Sequence, residues 1–235
     1  MDHPRAFVMR RLHAIAGVVP LGVFVVVHLL VNASALAGPA RFDRVVGGLA
    51  RLPFSGAFEL LFVGVPLAFH ALYGLRRAVK WPADAGANGY GRPRLDVLMR
   101  ITSLVLVVFV VVHAWELRIH RAALGGSIAA LHTRLAMHLS STAGGVPWIA
   151  LGYLAGIAAA CFHLAYGCHA VLAASGRASR RTAIASIAGG ALLFAAGATT
   201  VIALATGGTV FAEEDPAAAL PCGPEAPAPS PTTSR

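Results

Sequence analysis

Five long apolar stretches, separated by shorter polar segments, dominate the pattern of this chain of 235 residues. They cover residues 12–37, 54–79, 98–115, 146–174 and 182–206. Each stretch is long enough for a helix to cross a hydrocarbon layer of about 30 Å. The first continues well beyond the length of a cleaved signal peptide. The pattern therefore predicts an all-α membrane protein with five transmembrane helices.

The composition agrees with a membrane protein and excludes an ordinary soluble domain. Hydrophobic residues make up 57% of the chain, charged residues make up 12%, and the mean hydropathy is +0.71. The net charge of +9 would suggest a nucleic-acid partner in a soluble protein. In a membrane protein it indicates cytoplasmic loops and contact with lipid headgroups, so we expect no nucleic acid.

The distribution of Lys and Arg predicts the orientation. Twelve of the 19 lie in the N-terminal segment, the loop between the second and third stretches, and the loop between the fourth and fifth. The positive-inside rule places these segments in the cytoplasm and the C-terminus outside. The predicted domains are a cytoplasmic N-terminus (1–11), a five-helix membrane domain (12–206) and a disordered, Pro- and Ala-rich tail (207–235).

Four of the ten histidines lie deep within apolar stretches, one in each of the first four: His28, His70, His113 and His163. A single intramembrane histidine usually bonds a neighbouring helix, but four are harder to explain in this way. A rise of about 1.5 Å per residue puts His28 and His113 about 20–25 Å from the inner surface. His70 and His163, on helices of opposite direction, lie near that surface. The sequence therefore predicts two pairs at two depths.

Two local repeats give the same pairing. The pattern Phe-His-x-x-Tyr-Gly occurs at 69–74 and again at 162–167. A weaker repeat, Val-Val-Val-His, occurs at 25–28 and 110–113. The first repeat is the stronger signal because it shares four specific residue types.

Two histidines from two helices at each of two levels are the ligand set of a bis-histidine haem. Ligation also removes the cost of burying an unpaired ring nitrogen. The other ring nitrogen is expected to donate to a carbonyl or hydroxyl one turn away, and Gly74 and Gly167 to leave room for the porphyrin edge. Zinc is less favoured because two histidines are a thin ligand shell. No Cys-x-x-Cys-His pattern occurs, so the haem would be non-covalent.

The remaining histidines are interpreted as structural. His13 is expected to lie too near the end of the first helix to pair with the four, and His169 to point elsewhere. Three further histidines fall in the predicted outer loop and are interpreted as contacts of solvent or lipid headgroups: His120, His132 and His138.

Over residues 8–206 the chain resembles the cytochrome b membrane subunit of succinate dehydrogenase and fumarate reductase, of the single-polypeptide, five-helix diheme type. The matching residues are Arg11-Leu12-His13, Gly17 to Gly22, Phe24, His28, Asn32, Arg100-Ile101-Thr102, Phe162 to Ala165, and Arg180-Arg181. Ala14 stands where members often have serine, and the tail after Glu213 has no counterpart.

The resemblance implies two b haems, a proximal one between His70 and His163 and a distal one between His28 and His113. It further implies flavoprotein and iron–sulfur partner subunits on the cytoplasmic face of a bacterial inner membrane. Electrons would pass to a quinone, commonly menaquinone, near the distal haem. The chain itself has no Rossmann fingerprint, P-loop or iron–sulfur cysteine set, so it would not oxidise succinate alone.

Other site residues follow with less support. The haem propionates need cations near the inner face, and the family match favours Arg11 and Arg100 over Arg10, Arg76 and Arg77. Quinone reduction needs protons, for which the acidic residues toward the outside are Asp43, Glu59 and Glu116. Glu59 is the preferred one.

Two alternative functions stay open on the sequence. The chain could be the diheme anchor of another quinone-linked dehydrogenase, although the first-helix motif argues against it. It could also be a proton or metal transporter whose histidines relay ions. The physiological direction, succinate oxidation or fumarate reduction, is not determined.

Overall fold

The structure is a computed structural model that describes residues 4–79, 93–120 and 131–208. The predicted N-terminal segment from residue 4 on is part of the first helix. Nearly all of the predicted tail lies outside the described residues. Within the described ranges the chain consists of helices joined by short turns and loops, one of which contains an isolated bridge between Ala143 and Val146.

Nine α-helices, one 3-10 helix and two π-helical segments follow one another along the described residues. They are α1 (Pro4–Val18), α2 (Pro20–Ala33), a 3-10 helix (Ser34–Ala37), α3 (Pro39–Ala50), α4 (Ser55–Glu59), a π segment (Leu60–Gly64), α5 (Val65–Val79), α6 (Pro93–Ala114), a second π segment (Trp115–His120), α7 (Leu131–Ser140), α8 (Trp148–Ala174) and α9 (Arg180–Thr206).

The five predicted membrane helices are confirmed. They run over Arg5–Ala37, Ser55–Val79, Arg94–Arg118, Trp148–Ala174 and Arg180–Thr206, and are called spans one to five. Span one begins seven residues earlier than predicted, because the helix continues through the cationic residues that were assigned to a separate segment. Long arginine side chains tolerate this position, since they extend along the helix to reach water.

Consecutive spans are antiparallel, as their contacts show. His13 and Gly17 of span one meet Gly74 and His70 of span two, in reverse order along the chain. The same reversal relates Asp96 and His113 of span three to Tyr166 and Tyr153 of span four, and Ile157 and Ala165 of span four to Gly197 and Gly190 of span five. The bundle therefore has an amino-terminal end, where spans one, three and five begin, and an opposite end, where they finish.

The buried core lies toward the opposite end, among spans one, four and five. Its members include Leu29, Ile157 and Val201. The helices α3 and α7 cover this end, and they contribute Phe42 and Leu139, each 2% exposed. The segments that were predicted to be outer loops thus contain two short amphipathic helices.

Spans four and five make the closest helix pair, and glycine permits it. A Cβ atom on Gly190 would lie 2.9 Å from the Ala165 Cβ and 3.1 Å from the Cys161 carbonyl oxygen. Small residues allow backbones to approach in this way within membranes. The start of span five is capped by Ser179, whose hydroxyl accepts a hydrogen bond from the Thr182 amide at 3.1 Å.

Large apolar side chains cover the outside of the bundle. Leu72, Ile187 and Leu192 are each about two-thirds or more exposed, at 69%, 68% and 72%. An exposed apolar surface of this extent is the surface that a hydrocarbon solvent favours. The described residues therefore form a membrane bundle.

We expect Gly190→Ala to destabilise the protein, since the added methyl group would meet backbone atoms of span four that cannot rotate away. The cost should be about 1–3 kcal/mol, typical of overpacking. Gly189→Ala is the matched control, because a Cβ atom there meets nothing within 4 Å. Thermal unfolding of the detergent-solubilised protein would compare the two. Equal midpoints for both variants would contradict the packing of spans four and five described above.

Candidate functional site

The structure brings the four deep histidines together as two pairs. The rings of His28 and His113 have centroids 5.8 Å apart and are perpendicular, with an interplanar angle of 90°. The rings of His70 and His163 have centroids 6.0 Å apart, with an angle of 83°. Each pair joins two spans of the same direction, spans one and three or spans two and four.

The two pairs lie at different depths. Tyr153, whose ring centroid is 5.6 Å from that of His113, precedes His163 on span four by ten residues. At about 1.5 Å per residue, the levels are separated by ~15 Å along the helix axis. The pair of His70 and His163 is toward the amino-terminal end, and the pair of His28 and His113 is toward the opposite end.

The ring separations suit a single metal centre between the two rings of each pair. A metal–imidazole bond of about 2 Å on each side would place the two centroids about 6 Å apart. No group of three or more His, Cys, Asp or Glu side chains suited to a metal ion occurs among the described residues. A metal ion held at either pair would therefore have two imidazole ligands from the described residues.

Aromatic rings support the pair at the opposite end. Phe24 stacks against His28, with centroids 5.2 Å apart, and Phe109 stacks against His113 at 5.4 Å. Both phenylalanines lie four residues before the histidine on the same helix, the spacing that brings side chains together on one face. The apolar rings hold the imidazoles in place without competing for their nitrogens.

His13 joins the pair near the amino-terminal end, contrary to the prediction from sequence. Its ring stacks on that of His70, with centroids 4.1 Å apart and an interplanar angle of 5°. Its carbonyl oxygen accepts a hydrogen bond from Nδ1 of His70, over 3.0 Å. The prediction failed because span one begins at Arg5 rather than residue 12, which places His13 two turns inside the helix.

This hydrogen bond determines which nitrogen of His70 is available. A carbonyl oxygen only accepts, so the proton of the neutral ring is on Nδ1 and the lone pair is on Nε2. Such a bond to the distant nitrogen is the usual support of a metal-bound histidine. The expected partner one turn away on the same helix is wrong for His70, since its partner comes from span one.

The hydrogen bonding of His113 and His163 differs from that of His70. The Nδ1 atoms of His113 and His163 are buried and have no hydrogen-bond partner within the described ranges, so the expected bond one turn away is not formed at these two. A buried ring nitrogen without a partner is costly in an apolar medium. Ligation of a metal by these rings would remove part of that cost, so the donor set fits a nitrogen-ligated group.

Two glycines make room for His70 and for Phe109, the ring that stacks on His113. A Cβ atom on Gly17 would overlap Cε1 of His70, and one on Gly156 would overlap the ring of Phe109. Gly74 and Gly167, which the sequence analysis assigned to a porphyrin edge, face span one instead. Their added Cβ atoms would lie 3.2 Å from Nε2 of His13 and 4.0 Å from a methyl group of Val18.

A second group of polar side chains lies beside the pair at the opposite end. Nε2 of His138, on α7, is 3.3 Å from a carboxylate oxygen of Glu116, in the π segment that ends span three. The Tyr153 hydroxyl is buried and has no hydrogen-bond partner in the part of the chain described here. His138 was interpreted from sequence as a contact of solvent or lipid headgroups; its side chain is 35% exposed and in addition contacts Glu116.

The other predicted acidic residues have different surroundings. Glu59 is half exposed and forms a salt bridge with Arg118, over 2.7 Å. Asp43 accepts a hydrogen bond from the backbone amide of His132, over 3.3 Å, and so joins α3 to α7. Exposed ion pairs contribute little to stability, so the pair of Glu59 and Arg118 adds little to the association of spans two and three.

The predicted propionate partners lie at the amino-terminal end. The Arg11 guanidinium stacks over the ring of Phe7, 5.2 Å from its centroid, and Arg11 is exposed. Arg100 is half-buried one turn after Asp96 on span three. Asp96 in turn accepts a hydrogen bond from the Tyr166 hydroxyl, over 2.6 Å. Of the two predicted arginines, Arg100 is therefore the one inside the bundle.

Sequence reasoning missed three site residues: His13, His138 and Tyr153. His13 carried a signal, since it belongs to the first-helix motif. Tyr153 had none, because a tyrosine near a helix end is common in membrane proteins. The contact of His138 with Glu116 depends on the packing of α7 against the end of span three, for which the sequence carries no signal.

Comparison with known proteins gives one relevant match. The chain is 36% identical, over 168 residues, to the succinate dehydrogenase cytochrome b558 subunit of Bacillus subtilis. The aligned region covers 71% of this chain and 79% of that protein. No protein-family profile matches the chain, and no solved structure matches it.

The hydrogen bond between Tyr166 and Asp96 generates a prediction. Tyr166→Phe should lower the free energy of unfolding by about 1.5–3 kcal/mol, because a half-buried carboxylate loses a donor. Tyr73→Phe is the matched control, since Tyr73 occupies the same place in the repeated motif, its ring contacts those of His13 and Phe69, and its hydroxyl makes no hydrogen bond within the described part of the chain. Chemical denaturation in detergent would measure both, and an equal effect of the two variants would count against the bond.

Proposed function

The chain belongs to the family of succinate dehydrogenase cytochrome b subunits, and we propose that it is the single-polypeptide, diheme anchor of a succinate:quinone oxidoreductase. The proposal depends on the arrangement of the four histidines as two pairs, each formed by two spans. The two pairs are separated by ~15 Å in depth. When bound, the two b haems supply one-electron carriers between an iron–sulfur partner and a membrane quinone.

The residues proposed to hold these haems are the two pairs. His70 and His163 would ligate the haem near the amino-terminal end, and His28 and His113 the haem near the opposite end. His13 is proposed to position His70, since its carbonyl oxygen keeps the proton on Nδ1. Arg100 is proposed as a propionate partner, with the exposed Arg11 as a second cation at the same end.

The charge pattern supports an orientation and a docking side. The loops at the amino-terminal end carry twelve of the 19 Lys and Arg residues, so we place this end in the cytoplasm. The flavoprotein and iron–sulfur subunits would dock there, next to the haem of His70 and His163. The quinone, which we expect to be menaquinone, would react near the other haem. The chain would then be a multi-pass protein of a bacterial cytoplasmic membrane.

The competing functions lose support. A diheme anchor of another dehydrogenase would not account for the identity to a succinate dehydrogenase subunit. A metal transporter would need a site with more ligands than the two that each pair provides. The direction of the reaction, succinate oxidation or fumarate reduction, does not follow from these observations.

Replacing the ligands one at a time tests the proposal. In redox-titrated visible spectra of the purified complex, His70→Ala and His163→Ala should each remove the same haem component, and His28→Ala and His113→Ala the other. His132→Ala, on α7 and outside both pairs, should retain both components. Complex assembly must be checked by subunit content in each variant. A colourless wild-type complex, or a component lost by one member of a pair only, would refute the assignment.

A second test concerns the room made for His70. Gly17→Ala should lower the occupancy of the haem component near the amino-terminal end and leave the other component unchanged, because the added methyl group displaces the His70 ring. Gly152→Ala is the matched control, since a Cβ atom there meets nothing within 4 Å. Haem content per complex measures the effect. Full occupancy of both components in Gly17→Ala would show that His70 does not depend on this glycine.

A further inference from the structure

The proposed binding of the two haems does not use three polar side chains at the opposite end of the bundle. They are Glu116 at the end of span three, His138 on α7 and Tyr153 on span four. Three separate elements thus converge beside the pair of His28 and His113. We propose that these three residues form the site that binds the quinone ring and supplies its protons. This inference rests on the proposed function.

Tyr153 provides the binding contact. Its ring is in edge contact with those of His113 and Phe109, each 5.6 Å away between centroids. Its buried hydroxyl has no hydrogen-bond partner among the described residues. A buried hydroxyl without a partner costs free energy, and a quinone carbonyl oxygen is an acceptor that would satisfy it. The hydroxyl would orient the quinone ring next to the imidazole of His113.

His138 provides the protons, and Glu116 positions it. The 3.3 Å contact between them has side chains 35% and 36% exposed, so both reach the aqueous edge of the bundle. Histidine gains and loses a proton near neutral pH and is a common general acid. Glu116 follows His113 by three residues on span three, so the two side chains share one face of the helix. The pair therefore lies between the solvent and the level of His113, where the Tyr153 ring is in contact.

Among the described residues, the two other acidic side chains near this end of the bundle, Glu59 and Asp43, are engaged with partners of their own. On span three, Arg118 is paired with Glu59 of span two. On α3, Asp43 bonds the backbone amide of His132. The Glu59 carboxylate, which was preferred on the sequence, is thus engaged at the exposed surface, and His138 is the titratable side chain that contacts Glu116 from α7.

The reaction balances with these groups. In the direction of quinone reduction, two electrons arrive at this end of the bundle, and two protons come from the external solvent through His138. Both carbonyl groups of the quinone become hydroxyl groups, and the quinol leaves into the lipid. The exposed indoles of Trp115 and Trp148, at 57% and 63%, are typical of the membrane interface where such an apolar substrate would enter.

The test uses the complete complex with menaquinone of short tail as substrate. Tyr153→Phe keeps the ring contacts and removes the hydroxyl, so it should raise KM for quinone about tenfold. It should also raise the infrared stretching frequency of the bound, carbon-13-labelled quinone carbonyl, because a hydrogen bond to that oxygen is lost. Both haem potentials should stay unchanged. A shifted potential of the haem component assigned to His28 and His113, with normal KM, would overturn this role of Tyr153.

Proton supply is tested on kcat and its pH dependence. His138→Gln should lower kcat for quinone by about 10²-fold, typical for loss of a general acid, and flatten its pH profile. Glu116→Gln should lower kcat less and shift the profile, with partial rescue in Glu116→Asp. His132→Gln, the same substitution on the same helix, is the matched control and should behave as wild type. Succinate oxidation by a soluble dye should be normal in all variants.

Two outcomes would overturn the inference while leaving the proposed function intact. One is a wild-type kcat and pH profile in both His138→Gln and Glu116→Gln. The other is loss of the pH dependence in Glu59→Gln instead. Absence of haem or of quinone reductase activity in the wild-type complex would refute the proposed function and this inference with it.

Discussion

The structure depends on one constraint, that an imidazole within hydrocarbon must find a partner for its nitrogens. Water is absent there, and an unpaired polar nitrogen is costly. The chain brings rings from two spans together at two levels, about 6 Å apart within each pair, where one metal-centred group per pair would engage a nitrogen of each ring. Among the four paired histidines, and within the residues described, Nδ1 of His70 is the ring nitrogen that is bonded to a protein carbonyl oxygen. The remaining lone pairs are what makes the arrangement suitable for binding a metal-centred cofactor.

Packing around the pairs follows from the same constraint. Rings from two helices approach to 6 Å only if the backbones around them come close, and glycine allows this at Gly17 and Gly156. Spans four and five use Gly190 for the same purpose, and the two spans supply five of the ten residues in the buried core of the described part of the chain. Span five, which has no histidine at depth, therefore contributes support to span four rather than a ligand.

The two ends of the bundle differ in chemistry. The amino-terminal end combines cationic loops with the stacked rings of His13 and His70, which suits anionic propionates and the docking of protein partners. The opposite end is covered by α3 and α7 and places a carboxylate–histidine pair beside a buried hydroxyl. An electron carrier with a protein donor at one end and a proton-requiring acceptor at the other would need such an asymmetry.

The sequence by itself determined the number of spans, their limits within four residues except at the start of span one, and the pairing of the histidines by depth. These follow from apolar length and from a constant rise per residue, which are properties along the helix axis. Only the tertiary structure decided that His13 stacks on His70, that Gly74 faces span one and that His138 meets Glu116. Such contacts depend on how each helix is rotated about its axis. When a span is apolar on all sides, its sequence does not indicate which side faces the other helices. Lipid and protein neighbours favour the same apolar side chains.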